Sequence, residues 1–298
     1  MANAALIHRP ARGAARLPAT CGELVQGALD GIPCLVSCPI DLWAAADITV
    51  DASGRWQTPG DAPKAARAVQ AGLAALGRAG SGGSLRLTSP IARGRGYGSS
   101  TADISAALYA LAEALGQPLS AEEIARLAVS VEPSDSTMFP GLALLDHRQG
   151  SFYELLGQAP AAAVLVLDPG GAVDTVAFNE QDLCAMLRPL AAQHYDAFAA
   201  LRQAVRDGDV AALGQAATLS AQAHQTILHN PLLDQTLVLA KDIAAAGVCR
   251  AHSGTILGIL LDPAHNDVAQ VTDYVRRRLD QSIAIAHYRL IGGGPVQP

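Results

Sequence analysis

Apolar and polar residues alternate through Ser84-Leu85-Arg86-Leu87-Thr88, the period of a strand, whereas Ile104 to Leu115 places its apolar positions at helical spacing in an Ala/Leu-rich run. Upstream, Arg16 to Val25 reads as a strand, and Cys34 to Val50 is β-rich with Pro39 expected to break it. Lys64 to Leu76 reads as a helix after a turn-rich stretch, and 77–83 as a flexible connector. Ser120-Ala121-Glu122-Glu123 is a capping box opening a helix through about Ser130. Leu142 to Asp146 and Ser151 to Leu156 predict a strand pair with His147 in the turn between them.

A shift in composition near 157–161 predicts a boundary between residues 1–158 and 159–298. The second part opens with Ala163 to Asp168, apolar enough for a buried strand, and Val173 to Phe178 predicts another. Helical patterning fills Glu180 to Asp207 with an interruption at Pro189, then Val210 to Leu228, then Pro231 to Ala246 with Asn230 as its cap. Val248 to Asp262 reads as strand, turn, strand; a helix over Asp267 to Leu279 and a strand over Ser282 to Leu290 complete the chain. This order predicts an α+β fold with helices covering one sheet face.

Composition narrows the partners. Half of the 298 residues are apolar, enough for a sizeable core, and a net charge of −6 argues against a nucleic-acid partner. Five cysteines without a C-x-x-C pair fit free thiols in a reducing compartment. No run has the length of a membrane span, and Met1 to Arg16 lacks the apolar centre of a signal peptide, so the expected location is cytoplasmic, with no membrane partner.

Candidate chemistry lies between the strand at 84–88 and the helix at 104. The loop Pro90-Ile91-Ala92-Arg93-Gly94-Arg95-Gly96-Tyr97-Gly98-Ser99-Ser100-Thr101 has three glycines that let a polyanion reach backbone N–H groups, followed by a helix start whose free amides and dipole favour negative charge. Ser99, Ser100 and Thr101 stand where an N-cap stands, and a hydroxyl there can instead face a phosphate-bound Mg²⁺. It is not a Walker A loop, because the lysine is missing, nor G-x-G-x-x-G, because its third glycine comes one residue early. A plain strand-to-helix connection with a serine cap is the competing reading. Arg93 and Arg95 can be phosphate contacts or merely solvated.

Three further places carry candidate groups. Pro133 ends a helix and leaves Glu132 and Asp135 together beside hydroxyls, a set suited to Mg²⁺ and to accepting a proton from an alcohol. Glu23 sits in an apolar segment and needs a partner, either an arginine or a substrate. Asp41 follows the break at Pro39 and either caps that turn or faces a cleft, and His252-Ser253-Gly254-Thr255 forms a tight turn late in the chain.

The pattern Pro-x-x-x-Gly-x-Gly-x-Gly-Ser-Ser at 90–100 resembles the second motif of the GHMP kinases, with Tyr97 in place of the usual Leu and Thr101 in place of the usual Ala. Ser253-Gly254-Thr255 lies where the third motif of that family falls, although His252 and the lack of an adjacent glycine depart from it. Islands at 18–27, 35–41, 99–104, 131–139 and 251–262 are similar, within that family, to kinases acting on L-threonine for cobalamin biosynthesis. The resemblance implies the two-domain fold of the family, an N-terminal domain like ribosomal protein S5 domain 2 and a ferredoxin-like C-terminal domain. It implies ATP and Mg²⁺ as cofactors and γ-phosphate transfer to a small hydroxylated acid such as L-threonine. Pro90, the loop from Gly94 through Arg95, Gly96, Tyr97, Gly98, Ser99 and Ser100 to Thr101, and Ser253 with Gly254 would then hold the nucleotide. Ser100 and Glu132 would hold the metal, and Asp135 would orient or deprotonate the acceptor hydroxyl. Glu23 and Asp41 are candidates for the acceptor's ammonium, and His252 for its carboxylate. Homoserine, serine or pantoate as acceptor, and a binding protein without turnover, remain as alternatives.

Overall fold

The computed structural model describes residues 9–171 and 183–297. In chain order the strands and helices are β1 Ala11–Leu29, β2 Ile32–Asp51, β3 Trp56–Gln57, α1 Pro63–Ala75, β4 Gly82–Thr88, α2 Ser99–Leu115, α3 Ala121–Val131, β5 Leu142–Leu145, β6 Tyr153–Gly157 and β7 Ala163–Asp168. They continue with α4 Leu183–Leu187, α5 Ala191–Asp207, α6 Val210–His224, α7 Leu233–Asp242, β8 Gly247–Arg250, β9 Leu257–Leu261, α8 Val268–Arg276 and β10 Ala284–Arg289. The expected strand at 173–178 lies outside the described residues.

Among the described residues the ten strands form one sheet in the order β10-β7-β9-β8-β1-β2-β4-β3, with β5 added to β2 and β6 to β5. The first part's strands meet the second part's where Glu23 of β1 lies opposite Arg250 of β8. Gly22 permits that crossing: its φ is +56°, and a Cβ there would come within 2.4 Å of the Arg250 carbonyl carbon. Glu23 is therefore carried to the seam of the sheet by a close backbone crossing.

Pro39 does not end its strand. β2 runs through it, because register shifts after Pro18 and around Thr20 and Glu23 loosen the ladder where Pro39 faces Thr20. Its carbonyl still accepts from Ile291 N–H.

Helix α2 packs on β1 and β2 through small residues, Ala102, Ala106, Ala107 and Ala110, together with Leu111, while Ile104 and Leu108 join a second cluster with Ala68 of α1 and Ile124 of α3. The approach is close enough that a Cβ on Gly13 would fall 2.2 Å from the Ala110 carbonyl oxygen. Truncating Leu111, wholly buried, would cost about 2–5 kcal/mol and loosen the helix that starts at the glycine loop. The main core runs through both halves of the chain, joining Leu17 and Val25 to Phe198, Leu213 and Leu260.

Pro189 does interrupt its helix, within a single 3₁₀ turn over Arg188–Leu190 between α4 and α5. Asn230, by contrast, does not cap a helix beginning at Pro231: α7 starts at Leu233, and Asn230 instead accepts from Leu232 N–H and donates to the Thr255 carbonyl. Cys21, Cys34, Cys38 and Cys249 are buried free thiols. No helix among the described residues is long and apolar enough to cross a membrane.

Candidate active site

The glycine loop opens onto a cavity of about 390 Å³ whose lining includes Gly94, Gly96, Tyr97, Gly98, Ser99, Ser100 and Thr101 together with Glu23, Glu132, Asp135 and Ser253. Peptide planarity decides which backbone groups face it. The carbonyls of Arg95, Gly96 and Tyr97 are turned toward the protein, where they accept from Thr255 and Ile256, from Gly22, and from Thr20 respectively. In a trans peptide the next N–H points the opposite way, so the amides of Gly96, Tyr97 and Gly98 turn outward. Ser99, Ser100 and Thr101 follow as the first turn of α2, whose amides have no helical acceptor. The result is a row of donors at the positive end of a helix, suited to a polyphosphate.

Glycine is required in that row by contact as well as by conformation. Gly96 and Gly98 have φ of +100° and +65°, and a Cβ would come within 2.1 Å of Ala251 Cβ at the first and 2.7 Å of Asp135 Oδ2 at the second. The loop is thus wedged between the late turn and the Glu132–Asp135 segment. Arg95 and Tyr97 secure it: Arg95 Nη1 donates to Asp168 Oδ2 at 2.9 Å, and the Tyr97 hydroxyl donates to the same oxygen at 3.3 Å.

Helix α3 ends at Val131, and the chain then carries Glu132 and Asp135 to the loop. Glu132 receives two donors, Ser100 Oγ on Oε1 and Lys64 Nζ on Oε2. A carboxylate and a hydroxyl converging beside a phosphate cradle are the oxygen donors a hard divalent cation takes, so the residues fit Mg²⁺. Asp135 is tied down by its N–H, which donates to Thr101 Oγ1 at 3.0 Å. Burial, then the charge of Glu23 and that of Glu132, push its carboxyl up to about 7.

Glu23 forms the floor beyond Asp135. The His252 backbone N–H donates to its Oε2 at 2.9 Å and His252 Nδ1 lies 2.8 Å from the same oxygen. Burial outweighs that support and the attraction of Arg250, so the Glu23 carboxyl rises to about 8. Arg250 itself is wholly buried, with its guanidinium donating to Gln225, Leu228 and Ala251.

The expected residues separate into two groups. The loop from Gly94 through Thr101, Glu132, Asp135, Glu23 and Ser253 share the cavity, except that Arg95 turns its guanidinium away to Asp168. Pro90 is exposed and does not line the cavity, and Gly254 supports the loop from behind, where a Cβ would strike the Arg95 carbonyl at 2.4 Å. Asp41 is a correction. Its carboxylate accepts from Arg289 N and Nε, both at 2.8 Å, outside the cavity lining. His252 is a second: it is 1 % exposed, Nδ1 faces Glu23, and Nε2 lies 3.3 Å from Ser220 Oγ, so it positions Glu23 and has no face for a substrate carboxylate. Burial holds its imidazole well below the usual range and hence neutral.

The cavity also contains residues that the sequence reading passed over, namely Gln26, Asp61, Lys64, Asp103 and His147. His147 does sit in the expected turn, but it is buried, and burial lowers its imidazole to about 4. Lys64 had a local signal. It stands beside Pro63 at the start of α1, in a first turn without an acidic residue, where a cation opposes the helix dipole.

The comparisons agree with this geometry. The model of the GHMP kinases N terminal domain matches residues 63–139. An L-threonine kinase of Citrobacter freundii is 34% identical over 291 residues, covering 94% of this chain and 98% of its own length. The crystal structure of homoserine kinase from Cytophaga hutchinsonii superposes with a TM-score of 0.74 at 17% identity, over 96% of each chain. A solved complex with AMPPCP and magnesium superposes with a TM-score of 0.70 at 16% identity, over 97% of this chain and 100% of the other. Given the family match and a relative covering nearly the whole of both chains, the chain belongs to the GHMP kinases and is an ATP-dependent kinase acting on a hydroxyl.

Proposed function

We propose that this kinase transfers the γ-phosphate of ATP to the hydroxyl of L-threonine, giving ADP and O-phospho-L-threonine, in the cytoplasm and in the service of cobalamin biosynthesis. The observation that carries the reading is Glu23, a buried carboxylate facing the same cavity as Asp135 and the glycine loop. Its buried arginine neighbour donates elsewhere, so the carboxylate is suited to an acceptor that brings its own ammonium. The name of the Citrobacter freundii relative supports the same acceptor.

In this reading residues 1–158 supply the phosphate cradle and residues 159–298 close it with Ser253. The amides of Gly96 to Thr101 bind the phosphates and α2 adds its dipole. Ser100 and Glu132 hold Mg²⁺, which supplies charge neutralisation on the phosphates. Asp135 orients the threonine hydroxyl and takes its proton as the oxygen attacks the γ-phosphorus and the bond to ADP breaks. A carboxyl raised to about 7 is well matched to that proton at neutral pH. Glu23 receives the ammonium, and His252 keeps Glu23 in place.

An acceptor panel tests the assignment. With ATP and Mg²⁺, L-threonine should give the highest kcat/KM among L-threonine, L-serine, L-homoserine and pantoate. Pantoate, which lacks the amine, should be the poorest; a pantoate or homoserine preference would overturn the reading.

A further inference from the structure

Both oxygens of Glu132 are held by donors of the chain itself, and one of those donors is a full cation. Lys64 reaches Glu132 from the first turn of α1 across 68 residues of sequence, with its side chain 42% exposed, and it lines the cavity. The helix dipole works against an ammonium at this place, so what keeps it there is the carboxylate opposite. A divalent cation on Glu132 would meet that ammonium at close range and repel it, while the phosphates arriving beside it would attract it. Lysine suits such an exchange, being a compact charge on a flexible four-carbon stem.

We propose that Lys64 is a mobile cation of the nucleotide site: it neutralises Glu132 until metal and nucleotide enter, and then moves to the β- and γ-phosphates. This rests on the reading of Glu132 as a metal ligand and adds to it a residue and an exchange. Glu132 is thereby charge-compensated in both situations, and the positive charge displaced by the metal is reused on the polyphosphate. A lysine that only braced α1 against α3 would do neither.

The proposal requires two effects of opposite sign from one substitution. In Lys64→Met, Mn²⁺ binding to nucleotide-free protein, followed by electron paramagnetic resonance, should tighten about threefold or more, because a competing charge is gone. Binding of Mg²⁺–AMP-PNP, followed by calorimetry, should weaken about tenfold or more, while AMP, lacking the outer phosphates, binds as before. Lys64→Arg should restore most of the AMP-PNP affinity, and in a Glu132→Gln background Lys64→Met should no longer tighten Mn²⁺. Unchanged or weaker Mn²⁺ binding in the single variant, or equal losses for AMP and AMP-PNP, would overturn the exchange. None of these readouts needs an acceptor, so a protein that showed the expected pattern but phosphorylated no amino acid would lose its proposed substrate and keep this one.

Discussion

The two ends of the cavity treat negative charge in different ways. At the nucleotide end, Glu132 has a lysine ammonium and a serine hydroxyl on its two oxygens, and the pair is partly exposed to solvent. At the acceptor end, the charge of buried Glu23 acts on half-buried Asp135, Glu23 is held by one neutral imidazole and one backbone amide, and the cation beside it, Arg250, donates to other groups. The difference in environment gives different chemistry to similar side chains. A carboxylate already paired with a lysine can exchange that cation for a metal; acids without a dedicated cation can take a proton or receive an ammonium.

The largest expected effect comes from removing the base at the acceptor end. Asp135→Asn should lower kcat by about 10²–10⁴ while the Kd for Mg²⁺–AMP-PNP changes little. Steady-state kinetics beside calorimetry would check this; a matching loss of nucleotide affinity would erase the distinction between the ends. At the other end Glu132→Gln should raise the Mg²⁺ concentration needed for half-maximal rate by about 10–100-fold, with threonine KM nearly unchanged. An identical Mg²⁺ titration would remove Glu132 as a ligand.

Proton linkage gives a smaller effect that sharpens the comparison. Both acids at the acceptor end have folded pKa values raised above their unfolded ones, to about 7 for Asp135 and about 8 for Glu23. Their protonated forms therefore favour the fold: the contribution is whole below about pH 4 and is lost as pH rises through 7 and 8. The Tm of ligand-free protein should fall across that window, less steeply in Asp135→Asn, and L-threonine should recover part of the loss. Turnover runs the other way, since the base must be ionised, and kcat should rise with pH through about 7. A Tm that rose through the same window would contradict the raised carboxyls at this end of the cavity. The smallest effect belongs to Asp41→Asn, which breaks a surface pair with Arg289 for about 0.2–1 kcal/mol and should leave threonine KM unaltered.

What could be read along the chain was what chemistry keeps local. The glycine loop and its serines form one short stretch that offers a phosphate cradle, beside the competing reading of a plain strand-to-helix connection, and Pro133 announces that Glu132 and Asp135 leave a helix together. Asp41 and His252 misled for the same reason in reverse. The partner of Asp41 is Arg289, 248 residues away, and the partner of His252 is Glu23, 229 residues away, so nothing nearby in sequence marked either as already engaged. Pro39 was read by its usual effect on a regular ladder, and β1 and β2 are irregular there. The partner of Lys64 is Glu132, 68 residues away, so its place at the start of a helix gave no sign of which carboxylate it meets.

The claim on which the account turns is that Glu23 serves the acceptor and Glu132 the metal, within one cavity. The most direct test is Glu23→Gln, with KM for L-threonine measured beside the Kd for Mg²⁺–AMP-PNP. The account predicts a rise of about tenfold or more in the first and no change in the second. If KM held steady, or both constants moved together, the division of the cavity into an acceptor end and a nucleotide end would be wrong.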